Sequence, residues 1–487
     1  MKCDFEMLVI GSGPAGQKAA IQAAKAGRRV AIVEREREVG GACVHTGTIP
    51  SKSLREQALR RRAVLRLGTG AGASSRRPAA DAHDVPLAEL LADVGATVAA
   101  HDRYMGAQLE RNGIERLHAR ARFQDSRHVE LLQVGGGRRT LSAERIVIAT
   151  GSRPRAPQTL AVDHEHVLDS DSILSLAYLP RSLLVLGGGV IASEYAATFA
   201  ALGCRVCQVD RQDRPLAFLD AELVRYYLDE LELNRGQFIG GRQVRTATWD
   251  EAGGQVVTRF DRAADIVTDK VLVALGRIAN VEDLDLQAVG IALTRAGHIE
   301  VDDRLQTTVP GIYAAGDVIG PPALASAAME QGRRAACHAL GLLSVTELAG
   351  TQHLPSGIYA IPEMSTVGLD EAAARAHFGG ALVGRARFDE IARGQISGAA
   401  RGLLKLIADP GGRRVVGVQI VGDGATELVH IGQMGLAAAA DVDAYVDTVF
   451  NFPTMAEAYR VAALDIVRQR RSGTGNELAA AAAGDVL

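Results

Sequence analysis

The sequence is poor in several things that would have pointed elsewhere. Only six of its 54 basic residues are lysines. Aromatic residues make up 4% of the chain, with a single tryptophan. Five cysteines, an odd number, are scattered over 487 residues, which excludes a disulfide-stapled scaffold. No apolar run approaches the roughly 18 residues a membrane span needs. Met1 to Glu6 leads straight into a strand-like segment without the charged and apolar regions of a signal peptide, so a cytoplasmic protein without a membrane partner is expected. A net charge of −3 offers no basic stripe for nucleic acid. What is present is ordinary for a folded chain: 47% apolar and 23% charged residues, enough to bury a sizeable core. At roughly 100–200 residues per domain the length predicts two to four domains. The preference for arginine and alanine reads as genome composition rather than function.

Two segments resemble each other. Residues 7–16 read Met-Leu-Val-Ile-Gly-Ser-Gly-Pro-Ala-Gly, and residues 183–192 read Leu-Leu-Val-Leu-Gly-Gly-Gly-Val-Ile-Ala. Each is an apolar strand, a glycine turn and the start of an alanine-rich helix. Each is followed by a second apolar strand ending in an acid, Glu34 and Asp210, 23 residues beyond Gly11 and Gly187. This strand–turn–helix–strand unit binds dinucleotides, and two copies make the pattern specific. Gly11 permits the tight turn, Gly13 lets backbone approach a pyrophosphate, and Gly16 lets helix pack on strand. The helix N-terminus favours the phosphates electrostatically. Glu34, with Arg35 beside it, is placed to accept from a ribose. In the second copy Gly187, Gly189 and Ala192 take the same positions. There Asp210 favours a 2′-hydroxyl, whereas Arg211, with Arg214 further on, favours a 2′-phosphate. The two signals compete, as a site accepting both NAD and NADP would require.

Coarser features follow. Gly68 to Asp84 reads as a surface loop and 87–112 as a helix capped at Asn112-Gly113. Residues 350–470 mix short strands with helices, and 472–487 read as a frayed tail. Cys204 and Cys207 have a redox-like spacing, but they fall on a strand whose geometry keeps them apart, so both are expected to be packing residues. Cys43 and His45 lack a second pair with ligand spacing, so no metal site is expected.

Ile146 to Pro154 is a further strand ending at Gly151. Gly311-Ile312-Tyr313-Ala314-Ala315-Gly316-Asp317 is another, ending in Gly-Asp. With these segments the chain, from about residue 5 to 470, resembles the pyridine nucleotide-disulfide oxidoreductases, flavoproteins with two dinucleotide-binding domains. The resemblance implies an α/β fold with two Rossmann-like domains and an α+β C-terminal domain. The implied division is an FAD domain at 1–154 and 280–349, an NAD(P) domain at 155–279, a dimerisation domain at 350–471 and a tail at 472–487. It implies FAD as cofactor, NAD and NADP as substrates, and a homodimer or higher homo-oligomer. By the same resemblance Asp317 holds the flavin's ribityl and phosphate region, and Gly276 lies in the turn closing the second domain over its nucleotide. Gly41, Cys43, Thr48, Lys52 and Gly151 are implied to line the flavin. Lys52 is implied to lie beside flavin N5, paired with Glu194.

The redox segment departs from the family. Gly40-Gly41-Ala42-Cys43-Val44-His45-Thr46-Gly47-Thr48-Ile49-Pro50-Ser51-Lys52 has one cysteine where disulfide-reducing members have two, because Thr48 stands at the second position. In Asn451-Phe452-Pro453-Thr454-Met455-Ala456-Glu457, Phe452 stands where those members place a catalytic histidine. Phenylalanine shuttles no proton. Both halves of the thiol machinery are therefore missing. That pattern, with Leu216-Ala217-Phe218-Leu219-Asp220 and the 451–464 run, resembles the family's transhydrogenase branch. It implies hydride transfer between NADPH and NAD through the flavin, in ping-pong order, with Lys52 and Glu194 as the catalytic pair. Two alternatives share these motifs: an NAD(P)H oxidase or quinone-reducing diaphorase, and a flavin-bound redox sensor without turnover.

Overall fold

The apolar runs around the glycine turns are buried on both faces, as strands of a parallel sheet covered by helices must be. A computed structural model describes residues 3–68, 87–155, 157–342 and 353–472. The expected loop beyond Gly68 and the tail beyond Ser472 lie outside the described residues. By internal contacts the chain forms two units: residues 1–57, 86–178 and 273–346 in the first, and residues 58–85, 179–272 and 347–487 in the second.

In the first unit β1 (Phe5–Ile10) runs parallel between β2 (Val30–Glu34) and the end of β5 (Arg138–Ile148). The strand Ile312–Ala314 extends the sheet beyond β5, and β3 (Glu115–Phe123) extends it beyond β2. The outer part of β3, with β4 (His128–Gln133) and the start of β5, makes an antiparallel meander. Alternate residues feed two cores: Leu8, Ile10 and Ile148 face one side, and Met7, Val9 and Val147 face the other. Helix α1 (Pro14–Lys25) is alanine-rich because another helix, Ala325–Ala339, lies against it. A Cβ on Gly332 of that helix would fall 1.9 Å from the Ala15 carbonyl oxygen, so only glycine allows the approach. Helix α2 is short (Gly41–His45), α3 spans Thr48–Gly68, and α4 (Leu87–Arg111) buries Met105 and Leu109.

The second unit holds the other glycine turn. The strands Ser182–Leu186, Arg205–Val209 and Gln237–Ile239 are parallel neighbours. Helix α5 (Val190–Ala201) is apolar almost all round and buried from Ala192 onward, whereas α6 (Ala221–Leu233) is amphipathic and buries one stripe. A three-stranded meander spans residues 244–268. The C-terminal part is a five-stranded antiparallel sheet in the order Ser356–Ile358, Met364–Gly368, Val415–Val421, Leu403–Ala408, Leu382–Arg387. The helices Ala425–Ala437 and Glu457–Arg471 share its core, where the buried Tyr459 hydroxyl donates to the Leu428 carbonyl (2.7 Å). Among the described residues no helix is long and apolar enough to cross a membrane, and no cluster of three metal-ligating groups occurs.

Candidate functional site

The two turns have nearly the same backbone. Gly13 and Gly189 are the N-caps of α1 and α5, with φ, ψ of −65°, −177° and −84°, −176°. Neither cap has a side-chain hydrogen bond, and among the described residues no side chain is bonded to the first-turn amides, which need a partner. Neither glycine is there for conformation, since any residue adopts these angles. Nor is it there for packing, since an added Cβ would meet nothing within 4 Å at either position. Two glycines that the fold does not require, at uncapped helix N-termini, leave room for a phosphate group. Gly11 and Gly16 differ in being structurally obligatory. A Cβ on Gly11 would lie 2.4 Å from Ala149 O, and one on Gly16 would lie 1.9 Å from Gly11 O.

The acids differ more. Glu34 Oε2 accepts from both the N–H and the hydroxyl of Ser12 (2.8 and 2.7 Å), and Oε1 accepts from Glu36 N–H (3.0 Å). Ser12 Oγ also accepts from Gly40 N–H (3.1 Å), so one buried serine joins turn, acid and redox segment. A carboxylate accepts about four hydrogen bonds, so capacity for a ribose remains. Arg35 is exposed and paired with Glu36 at 3.2 Å. Asp210 instead accepts from Gln212 N–H (2.7 Å) and lies over Gly188, where a Cβ would come within 3.0 Å of its Cγ. Arg211 is exposed and makes no hydrogen bond or ion pair among the described residues. Arg214 is otherwise engaged: its Nη2 donates to the carbonyls of Ala217 (2.8 Å) and Leu219 (3.1 Å), so it holds its own loop.

Around the first turn, Gly41 (φ 60°) brings its Cα side close enough that a Cβ would lie 3.1 Å from Gly13 Cα. Gly151 (φ 68°) follows β5, and Asn280 N–H donates to its carbonyl (3.0 Å). Asp317 Oδ2 accepts from the Ser152 hydroxyl (2.7 Å), whose oxygen accepts from Arg277 Nε (2.8 Å). Gly276, just before Arg277, is exposed at φ 107°. Cys43 lies on α2, and Thr48 starts α3. Burial pushes the Cys43 thiol up, and the Thr48 hydrogen bond and the Lys52 charge offset only part of this. Lys52 Nζ lies 3.4 Å from Ser51 Oγ. Glu194 on α5 is 6% exposed, and its Oε1 accepts from Tyr359 N–H (2.8 Å). Cys204 immediately precedes its strand rather than lying on it; its Sγ donates to the Pro180 carbonyl, and both it and Cys207 are buried free thiols raised by burial.

The family model for pyridine nucleotide-disulphide oxidoreductases matches residues 5–332, and that for their dimerisation domain matches 354–463. The chain belongs to the pyridine nucleotide-disulphide oxidoreductase family. Within this family it is 43% identical to a soluble pyridine nucleotide transhydrogenase of Mycobacterium bovis (strain BCG / Pasteur 1173P2), over 96% of this chain and 98% of the other. A soluble pyridine nucleotide transhydrogenase of Pseudomonas aeruginosa is 37% identical, over 95% and 98%. Among solved structures, LpdA from Mycobacterium tuberculosis superposes with a TM-score of 0.86 at 26% identity, covering 94% of this chain and 99% of that one. The flavoprotein disulfide reductase RclA from Escherichia coli gives 0.83 at 25%, covering 94% and 99%.

Family membership brings FAD as cofactor. The first turn fits it: the open Gly13 cradle, the uncapped α1, the Glu34 carboxylate and the hydrogen-bonded Asp317 carboxylate supply donors and acceptors along a dinucleotide. Three residues at this site escaped sequence reading. Ser12 could have been noticed as a hydroxyl between two turn glycines. Ser152 and the half-buried Asp171, whose carboxyl burial pushes up and the Arg277 charge holds back only in part, carry no spacing signal. Phe452, 68% exposed, lies in the dimerisation-domain region with Met434, Val449 and Leu464, also exposed.

Proposed function

We propose that the protein is an FAD-dependent transhydrogenase that moves hydride between NADPH and NAD. The carrying observation is the redox segment: Cys43 has threonine, Thr48, where a second cysteine would be needed, and burial raises its thiol so that it stays protonated at neutral pH. A disulfide relay has no second sulfur, and Phe452 offers no base. The naming of relatives 37–43% identical as soluble transhydrogenases supports the same reading.

FAD, bound at the first turn, supplies the two-electron carrier that links one nicotinamide to the other. Gly11, Gly13, Gly16, Glu34, Arg35, Gly41, Cys43, Thr48, Gly151 and Asp317 are the residues proposed to hold it. Gly187, Gly189, Ala192, Asp210, Arg211 and Gly276 are proposed to hold either nicotinamide nucleotide in turn. Lys52 and Glu194 are proposed as the catalytic pair, with the lysine's positive field favouring added negative charge and Glu194 balancing it. No side chain has to move a proton, because hydride leaves and arrives at carbon. This reading accounts for Thr48 and Phe452 without a substitute for the lost groups. The domain limits 1–154, 155–279, 280–349, 350–471 and 472–487, a homodimer and a cytoplasmic location complete the proposal. Support for the dimer comes from the dimerisation-domain match and the exposed Phe452 region.

The test is an anaerobic assay of FAD-loaded protein with NADPH as donor and thio-NAD as acceptor. Turnover at many multiples of the enzyme concentration is expected. Bleaching of the flavin by NADPH without thio-NADH formation would move the function to an oxidase or quinone reductase. Failure of NADPH to bleach it at all would leave the redox sensor. The companion variant Thr48→Cys is expected to gain no disulfide reductase activity, because Phe452 still supplies no base.

A further inference from the structure

The string Leu216-Ala217-Phe218-Leu219-Asp220 has no part in the chemistry above, yet it is held at Leu216, Ala217, Leu219 and Asp220. It closes the loop from Asp210 to α6. Leu216 is fully buried with φ 48°, and its N–H donates 2.7 Å to the carbonyl of Gly188, the middle residue of the second nucleotide turn. Arg214 holds the carbonyls of Ala217 and Leu219. Leu219 N–H donates back to Leu216 O (2.9 Å). Asp220 does two things at once. Its Oδ1 accepts from Glu222 N–H (2.8 Å) as the N-cap of α6, and its Oδ2 meets Lys405 Nζ at 2.6 Å.

Lys405 lies on the strand Leu403–Ala408 with its side chain 2% exposed. It also meets Glu222 (3.0 Å) and Glu371 (2.9 Å), and Arg385 bridges the same two glutamates (3.0 and 2.9 Å). An ammonium this buried is tolerated only with partners on hand, and removing it strands carboxylates in a low-dielectric place. The loop that carries Asp210 and Arg211 is thus anchored on the nucleotide turn through Leu216 and on the C-terminal sheet through Asp220.

We propose that Lys405, acting through Asp220, is a positioning residue that fixes the 210–220 loop and thereby sets how the second turn discriminates 2′-phosphorylated from 2′-hydroxyl nucleotides. The proposal rests on assigning that turn to the nicotinamide nucleotides. Arg211 is the arginine of this loop left to meet a 2′-phosphate, because Arg214 is spent on the loop itself. A guanidinium on a loosened loop meets a phosphate in fewer of its conformations, so the phosphate-dependent part of the affinity falls first.

The experiment measures binding of adenosine 2′,5′-bisphosphate and 5′-AMP to the FAD-loaded protein by calorimetry. The variants are Asp220→Asn, which keeps an N-cap acceptor, Lys405→Met, and Arg211→Gln. Asp220→Asn and Lys405→Met are each expected to shrink the bisphosphate-to-AMP preference at least fivefold with flavin content unchanged. The double variant is expected to shrink it no further. A preference within twofold of the parent in both single variants, when Arg211→Gln has abolished it, would overturn the proposal and leave a purely structural ion cluster. An unchanged preference in Arg211→Gln would overturn the assignment of the turn itself, and this proposal with it.

Discussion

The two glycine turns are built on one backbone and stabilised in opposite ways. The first is locked from inside. Ser12 sits in the turn and ties Glu34 to it, and Gly16 brings α1 so close that no Cβ fits. The second has glycine at the corresponding middle position and alanine at the third, so neither lock is available. Its acid lies over Gly188 instead, and its loop is held from outside by Leu216 and by Asp220 on Lys405. A self-contained lock suits a cofactor that stays. A turn whose discriminating loop is anchored separately suits a nucleotide that is exchanged every turnover.

The largest effect expected from breaking this difference is at the open glycines. A Cβ at Gly13 meets no atom of the described residues, so Gly13→Val should keep the fold while filling the space proposed for a phosphate. Losing one charge-assisted hydrogen bond at about 1.5–3 kcal/mol should weaken FAD by roughly tenfold to a hundredfold or more. Gly189→Val should retain FAD and lose nucleotide binding by a similar factor. Flavin absorbance of the purified variants and calorimetry with 5′-AMP separate the two. Loss of flavin from both, or neither, would erase the distinction between the turns.

Stability comes next. Gly16→Ala places a methyl 1.9 Å from Gly11 O and should cost about 1–3 kcal/mol or more. Ala192→Gly in the second turn should cost about 1–2 kcal/mol, the helix penalty of glycine plus one buried methyl. Thermal unfolding of the FAD-loaded variants checks the ranking, and equal losses would contradict the tighter first turn.

The external anchor also predicts a pH response. Burial pulls the Lys405 ammonium down, but its hydrogen bonds to Asp220, Glu371 and Glu222 raise it net above the usual lysine value. Burial raises Glu222 and Glu371, but Lys405 and Arg385 bring both net below the usual range. The glutamates' contribution is present above the unfolded value of about 4.3 and lost as pH falls through their lower folded values. That of Lys405 is present below about 10.4 and lost as pH rises through its higher folded value. Lys405→Met should lower the plateau of unfolding temperature between these limits and flatten both flanks. A profile parallel to the parent's would remove the cluster from the account.

The smallest effect is expected at Cys43. With its thiol raised by burial, iodoacetamide should label it slowly at pH 7 and faster as pH rises. Rapid labelling at neutral pH would restore a reactive-thiol role.

Much of this was legible before the structure. Turn, helix and acid lie within 24 residues of one another, and local spacing alone places Gly11, Glu34, Gly187 and Asp210. The redox departure was equally plain, since Thr48 and Phe452 are read directly from aligned strings. What holds these pieces is not local. Ser152 reaches Asp317 across 165 residues, and Lys405 reaches Asp220 across 185, and no periodicity reports such pairs. Arg214 shows the limit most clearly. Its position suggested a phosphate ligand, and only the fold reveals that two carbonyls of its own loop already occupy it.

In the proposed reaction one nucleotide site serves both nicotinamides in turn without a thiol relay. Initial rates with NADPH and thio-NAD varied against each other test it most directly. Parallel double-reciprocal lines are expected, undisturbed by prior treatment with a thiol reagent. Lines that intersect to the left of the axis would mean that both nucleotides are bound together, and would contradict it.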